Sequence, residues 1–557
     1  MKRFPKANYI FLFIVCLPLI YGHSSVSILF PVFIACLFFL FYLLVSIQKQ
    51  ALFQYSIADI LVVSGIVAVI GRYFCTPFRP PVLLWESIVF LAAYLAIRLL
   101  SCKEKLVVLY GFILSGFLQS ILGILQRTGF LASNHPYFPV TGTFLNPGPY
   151  GGYVAVCLVI AFFTLRQSSW KHRALIFPVL TAGLLVSDSR ASWLAAGVPL
   201  LFYVLSGFKK RRLVACLLFV AVTGVFIYGL YRYRPESADS RLTLWRVTAR
   251  MIADAPLKGH GPGSFAGNYM LYQADYFREF PERSPDDIGN NVHSFNEPLR
   301  WFAEYGAAAP CLLLILSLIL YKNRGKTSAA VLYGLPAWFV FSLFSYPGSV
   351  FPLGSMVPVL LGMAETERTY SFPVSGTCRV GATVILLFML SGSVGQQILF
   401  CRADKLMERI REGYIPTRCE KQRLIALPAC REAYGQYLAE QDDPAEEIAF
   451  LEMLLRFGRN SEIQVRLAES YARAGKHKLA EESFILASRM VPTLVLPRYR
   501  LFEFYLRTGQ EDKAYVVAEE ISGMNEKITN SITIRAKADA RKYIKRYENQ
   551  NTVPACN

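Results

Sequence analysis

The chain has 557 residues, 54% of them hydrophobic and only 17% charged, with a formal net charge of +19 at pH 7. Its long apolar stretches exclude a wholly soluble protein. Lys and Arg collect in the cytoplasmic loops of membrane proteins, so the positive balance does not imply a nucleic-acid partner. None of the twelve cysteines forms a Cys-x-x-Cys pair, and neither a metal nor another cofactor is implied.

Composition divides the chain near residue 400: residues 1–400 are rich in Leu, Val, Ile and Phe, and the remainder is dense in Arg, Lys and Glu. A spanning helix needs about 20 mostly apolar residues. Thirteen segments qualify, at 9–21, 27–47, 57–71, 82–100, 106–125, 148–165, 173–187, 191–206, 213–231, 298–321, 328–346, 350–364 and 380–400, with the seventh, eighth and twelfth short. Met1-Lys2-Arg3 before an apolar run has the look of a signal peptide, but no small-x-small cleavage site closes it, so the first helix reads as retained. With the N-terminus inside, the short inner segments hold nineteen basic residues and the short outer loops hold four: Arg72, Arg79, Arg127 and Arg190. That asymmetry places 126–147 and the long loop 232–297 outside. Thirteen crossings put the C-terminal part outside too, and a re-entrant twelfth segment would move it to the cytoplasm. Eight cysteines lie in or beside apolar segments, where Cys acts as a small hydrophobe; Cys401, Cys419, Cys430 and Cys556 lie in the polar part, their pairing open.

Four polar stretches gather on the outer side. Gly142 to Tyr153 is a Gly- and Pro-punctuated loop entering a helix, with Asn146 as N-cap before Pro147. Such a helix start suits an anionic group, or is simply a cap. In Ser187-Asp188-Ser189-Arg190, the acid and base either neutralise each other or leave Arg190 to fork onto a diphosphate. Ser240 to Phe265 reads as an amphipathic helix stopped by Pro256, followed by a Gly-rich turn. Leu242, Trp245, Ala249 and Ile252 share one face of it, with Arg246 and Arg250 on another. Asn290 to Gly306 places His293 just ahead of the tenth span, among Asn296, Glu297 and Arg300. A histidine at a water–lipid boundary can serve as a general base or a charge partner for phosphate.

Beyond a linker at 401–426, a 34-residue period appears. Leu467, Tyr471, Gly475 and Ala480 recur as Leu501, Tyr505, Gly509 and Ala514, the pattern of tetratricopeptide repeats. A degenerate copy at 427–460 and a capping helix at 530–547 complete a repeat domain over 427–547, with a tail at 548–557. Such a domain offers a concave face to a protein partner, or acts only as scaffold.

Together these stretches resemble the O-antigen ligase and polymerase superfamily, bacterial polytopic enzymes acting on lipid-linked glycans. The resemblance rests on Gly-Thr-Phe-x-Asn-Pro at 142–147, Ser189-Arg190 and Arg241 four before Trp245. It continues with Asp-x-Pro-Leu-x-Gly-x-Gly-Pro-Gly-x-Phe at 254–265, and His293 with Glu304 and Gly306 downstream. It covers about residues 130–320 well and the first four spans in hydropathy only. It implies an all-α fold: a polytopic transmembrane bundle of 1–400 followed by the helical repeat domain. It further implies a multi-pass protein of the bacterial inner membrane, active on the periplasmic side. There an undecaprenyl-diphosphate-linked glycan is passed to lipid A core, another glycan or a protein hydroxyl, by metal-independent inverting transfer. By the same resemblance His293, Arg241 and Arg190 are the catalytic candidates. Arg190, Arg241, Arg246, Arg250 and Asn146 are the diphosphate-binding ones. A departure is Ala309-Pro310 after Gly306, where ligases often carry Gly-x-x-Gly. The competing readings are a transporter or flippase for lipid-linked glycans, and a membrane assembly scaffold.

Overall fold

The computed structural model describes residues 5–23, 29–48, 52–77, 80–208, 211–281, 288–368, 370–426, 428–441, 443–524 and 530–551. Lys2, Arg3, Lys49, Arg79, Lys209, Lys210 and Cys556, with residues 27–28 of the second span and most of the 548–557 tail, lie outside the described residues. The chain is helical, with one short two-stranded ribbon. The apolar part comprises α1 (Pro5–His23), α2 (Leu29–Ile47), α3 (Ile57–Cys75), α4 (Pro81–Arg98), α5 (Cys102–Arg127), α6 (Pro147–Thr164), α7 (Trp170–Val186), α8 (Arg190–Ser206) and α9 (Arg212–Tyr233). The long loop folds as α10 (Pro235–Asp254), α11 (Ser264–Glu279) and α12 (Glu297–Tyr305). The bundle then resumes with α13 (Ala308–Lys322), α14 (Ala329–Ser342), α15 (Phe351–Gly354), α16 (Met356–Met363) and α17 (Gly376–Cys401).

Among the described residues five helices have the length and apolarity to cross a membrane, in α3, α5, α6, α9 and α17, and shorter apolar helices fill out the bundle. Helix α6 is its axis, with Val154 to Ala161 almost wholly buried, whereas α9 leaves its large apolar side chains exposed, as a lipid-facing helix would. The described parts of the expected spans are largely helical, and two differ in form: the twelfth divides at Ser355 into α15 and α16, and the tenth is broken by a turn. The tenth breaks at Gly306 into α12 and α13, because that glycine takes φ 66° and turns the chain.

The two faces of the bundle are held differently. On the face away from the long loop, strands β1 (Leu52–Tyr55) and β2 (Tyr370–Pro373) pair antiparallel. Ser56 and Asp59 there cap α3 reciprocally, as Ser101 and Glu104 cap α5. Arg98 is bound to Asp59 at 2.7 Å, and Lys105 meets Glu365. The α15–α16 segment reaches from this face, through Glu365, to the loop face, where the Gly348 N–H donates to Glu297 at 3.1 Å. The twelfth segment therefore crosses the bundle and does not turn back.

The polar part is helical throughout: α18 (Ala403–Arg411), α19 (Arg418–Ala426), α20 (Pro428–Glu440), α21 (Pro444–Phe457), α22 (Ser461–Arg473), α23 (His477–Met490), α24 (Val495–Arg507), α25 (Glu511–Gly523) and α26 (Ser531–Asn551). Residues 401–426, expected as a linker, contribute Leu406, Ile410, Leu424 and Ile425 to the same core as the later helices. The 34-residue spacing is visible in the backbone. Gly475 and Gly509 take φ 71° and 70°, and the bonds from Lys476 to Tyr471 and from Gln510 to Tyr505 recur at 2.9 and 3.0 Å. Cys419 and Cys430 are not joined by a disulfide.

This helical array sits on the loop face. The Ser461 N–H donates to Asn290 at 2.8 Å and the Arg459 N–H to the Ala266 carbonyl at 3.0 Å. Met490 and Val491 share a core with Leu244, Val247, Phe265 and Tyr269 of α10 and α11.

Candidate functional site

The loop face gathers parts of the chain that are far apart in sequence. Asn146 caps α6, accepting from the Gly148 N–H at 2.9 Å with Pro147 at the first helical position. Ser192 at the start of α8 lies against this turn, its hydroxyl 2.7 Å from that of Ser189. A side chain at Gly151 would strike Ser187 and Ser192, so the small residues of both motifs serve close packing.

Asp188 and Arg190 do not neutralise each other. Asp188 pairs with Arg234 at 2.7 Å, while Arg190 donates from Nη1 to the Leu230 and Arg234 carbonyls at 2.8 and 2.9 Å. Those carbonyls lie at the C-terminal end of α9, whose unpaired acceptors draw a cation. Among the described residues Arg190 thus has no carboxylate partner. Helix α10 brings Arg241 to the same place. Arg241 is half-buried, stacks over the Phe295 ring at 5.3 Å, and has neither a hydrogen bond nor an ion pair among the described residues. Burial, then the charge of Arg190, pull its pKa down to about 10, so it stays cationic at neutral pH.

His293 completes the group. Its ring lies parallel on Tyr346 with centroids 4.3 Å apart, and Phe295 meets Tyr346 edge-on at 5.2 Å. Burial, and secondarily Arg300, lower the His293 pKa to about 4, so the imidazole is neutral at pH 7. Asp188 and Phe295 are the two non-glycine residues with positive φ among the described residues, at 47° and 50°. Both border this cleft, one beside Arg190 and the other under Arg241. Backbone strain of this kind concentrates at binding and catalytic sites.

The remaining candidates lie elsewhere. Arg250 is paired with Glu279 at 2.9 Å and stacked on Tyr276 and Phe280. Arg246 is exposed. The buried face of α10 is Leu244, Val247, Thr248 and Met251, not the expected Leu242, Trp245, Ala249 and Ile252. Both stripes have helical spacing, and packing against α11 and α12 selects the first.

The Gly-rich turn is a clamp on α12. The His260 and Gly261 N–H groups donate to the Ala303 and Glu304 carbonyls at 2.9 and 2.8 Å, and Ala307 donates to Pro256 at 2.9 Å. Gly259 has φ 64° and a side chain there would sit 2.5 Å from the Glu304 carbonyl, so the backbones touch only because glycine stands at this position. Glu304 accepts from the Phe265 N–H at 3.3 Å. Asn296 caps α12, accepting from Leu299 at 3.0 Å, and Glu297 holds Arg300 at 2.8 Å.

Aromatic residues that the motif reading did not single out line the cleft. Tyr346 follows α14, and Tyr21 from α1 interacts with Tyr346 and packs on Phe144 of the Gly-Thr-Phe loop. Within the bundle, an apolar cavity of 690 Å³ opens between α8, α13 and α14, lined by Val198, Phe202, Trp301, Leu313, Leu320 and Phe339.

In a comparison with known families, residues 174–314 match the family model described as O-antigen ligase. Over that segment the chain is similar to O-antigen ligases. Arg190, Arg241 and His293 all fall inside the matched segment, as do the Gly-rich turn and α12. Tyr21, Asn146 and Tyr346 lie outside it and reach the cleft only through the fold. A comparison with curated proteins found no match.

Proposed function

We propose that this membrane protein transfers a glycan from an undecaprenyl-diphosphate carrier to an acceptor hydroxyl, at the periplasmic face of the bacterial inner membrane. The observation that carries this reading is the pair Arg190 and Arg241, supplied by different helices to one cleft with no carboxylate to neutralise either. Two like charges held side by side repel, and a diphosphate is the anion that relieves both. The apolar cavity between α8, α13 and α14 suits a polyprenyl chain. The match of residues 174–314 to the O-antigen ligase model supports a glycan-transferring reaction in general.

In this mechanism the acceptor oxygen attacks the anomeric carbon from the side opposite the diphosphate, inverting it, and the carbon–oxygen bond to phosphate breaks. Arg190 and Arg241 stabilise the charge that develops on the leaving diphosphate, the role a metal ion takes in other transferases. His293, neutral and stacked on Tyr346, orients the reacting groups and is able to accept a proton. The helices of 427–547 act as a repeat domain that docks on the long loop and recruits an acceptor or partner protein.

The test is complementation of a deletion strain with wild type, Arg190→Ala, Arg241→Ala and His293→Ala at equal membrane levels, following lipid-linked glycan and its products. Loss of one oxyanion-type donor costs about 10²–10³ in turnover, so each Arg variant should accumulate lipid-linked donor. Full complementation by all three variants would overturn the reading in favour of a transporter or scaffold.

A further inference from the structure

Helices α22 and α23 of the C-terminal array reach the loop segment that leads into His293. Asn290, three residues before the histidine, accepts from the N–H of Ser461, the first residue of α22, at 2.8 Å. The neighbouring Gly289 is tied to the array through Gln273 of α11, a wholly buried residue. The Gln273 amide nitrogen donates to the Gly289 carbonyl at 3.2 Å and also to the carbonyl of Met490, the last residue of α23. One side chain thus joins the segment, α11 and the array, and Asn290 adds a second, direct tie.

These two ties carry weight because the segment has neither helix nor strand to fix it. It borders a cavity of 390 Å³ whose wall includes Gly289, Asn290, Ser461, Val491 and Thr533, so side-chain packing closes only part of the seam with the array. The next backbone tie, from the Asn291 N–H to the Met270 sulfur at 3.4 Å, uses a weak acceptor. Beyond the histidine the chain is anchored to the membrane bundle instead. The Ser294 hydroxyl donates to the Asn296 carbonyl at 2.6 Å, and the Asn296 side chain donates to the Leu343 carbonyl, just after α14, at 3.2 Å. His293 therefore sits on a short irregular stretch with the bundle holding one end and the array the other. Its ring is stacked on Tyr346 between those two anchors.

We infer that Asn290 and Gln273 are positioning residues, through which the C-terminal helices hold His293 in register with Arg190 and Arg241. This rests on the transferase reading above, and adds to it that the array is part of the site and not only a recruiter of partners. The two residues act on the backbone of the segment and not on the reacting atoms. Misplacing a reacting group by about 1 Å costs about 10² in rate, so a small shift along this seam is enough to slow transfer. A partner protein that moves α22 or α23 on binding moves the Asn290 anchor with it, which couples occupancy of the array to the reaction.

The experiment uses the full-length protein in membrane vesicles of the deletion strain, which supply lipid-linked glycan and acceptor, and follows the rate at which the lipid-linked glycan is consumed. Undecaprenyl diphosphate is the binding probe for the purified protein. Asn290→Ala and the volume-conserving Gln273→Met should each slow consumption by about 10–10², while the probe binds within twofold of wild type. Asn290→Asp should recover most of the rate, because it keeps an acceptor for the Ser461 N–H at a helix start that favours a carboxylate. Tyr505→Phe is the stability control: it loses a hydrogen bond to Glu481 at 2.9 Å inside the array, leaves the seam intact, and should stay within twofold of the wild-type rate. Wild-type rates for Asn290→Ala and Gln273→Met, no recovery in Asn290→Asp, or equal slowing by Tyr505→Phe would overturn the assignment. So would a loss of probe binding that matches the loss of rate. A wild-type protein that binds the probe but consumes no lipid-linked glycan would instead overturn the transferase reading, and this inference with it.

Discussion

Replacing Arg241 by Met should make the empty protein more stable and less active at once. Arg241 has no hydrogen-bond acceptor among the described residues, and burial and Arg190 pull its pKa well below the usual arginine range, to about 10. At 1.36 kcal/mol per pH unit, keeping it charged costs at most about 3 kcal/mol, and solvent screening of a half-exposed group cuts that to about 1–2 kcal/mol. Methionine removes the charge and keeps a contact with the Phe295 ring, since a sulfur–aromatic contact contributes about as much as the cation–π contact it replaces. A gain of this size raises the melting temperature by a few degrees, which thermal unfolding of the detergent-solubilised protein would register. Undecaprenyl diphosphate at about 100 times its Kd should stabilise wild type by about 2.7 kcal/mol and the variant by much less. A variant less stable than wild type, or one with an undiminished ligand shift, would refute the idea that Arg241 is held in reserve for an anion.

The lowered pKa of His293 has a stability consequence with a definite sign. The unfolded chain binds a proton below about 6.5 that the folded chain binds only below about 4, so stability is full above 6.5 and falls towards pH 4, by about 1–2 kcal/mol after screening. His293→Gln should flatten that loss between pH 7 and 4.5; an unchanged acid sensitivity would show that His293 is not buried as described. The placement of the C-terminal helices predicts labelling behaviour. Cys419 is exposed on the loop face and Cys102 on the opposite face, so a membrane-impermeant maleimide should reach Cys419 together with Leu257→Cys, and Cys102 only from the other side. Labelling of Cys102 and Cys419 from one side of intact vesicles would contradict the topology.

Much of the architecture is legible in the residues because its causes are local. Long apolar runs have to be helical where no water satisfies the backbone, so the spans can be read from hydropathy. Asn146 before Pro147 is a cap by its own side-chain chemistry, and the glycines of 259–263 and 306 announce a close backbone approach. The break between α12 and α13 is hidden by continuous hydropathy, because the turn at Gly306 depends on the clamp from residues 256–261.

The amino-acid sequence by itself determined the helical class, the positions of the apolar helices and the 34-residue period, since each depends on spacing within one segment. Only the tertiary structure decided which stripe of α10 is buried, that Asp188 takes Arg234 and leaves Arg190 to backbone carbonyls, and that the C-terminal helices dock on the long loop. These are contacts between segments from 40 to more than 200 residues apart. Charge pairing and burial are decided by which surfaces meet, and no local pattern encodes that.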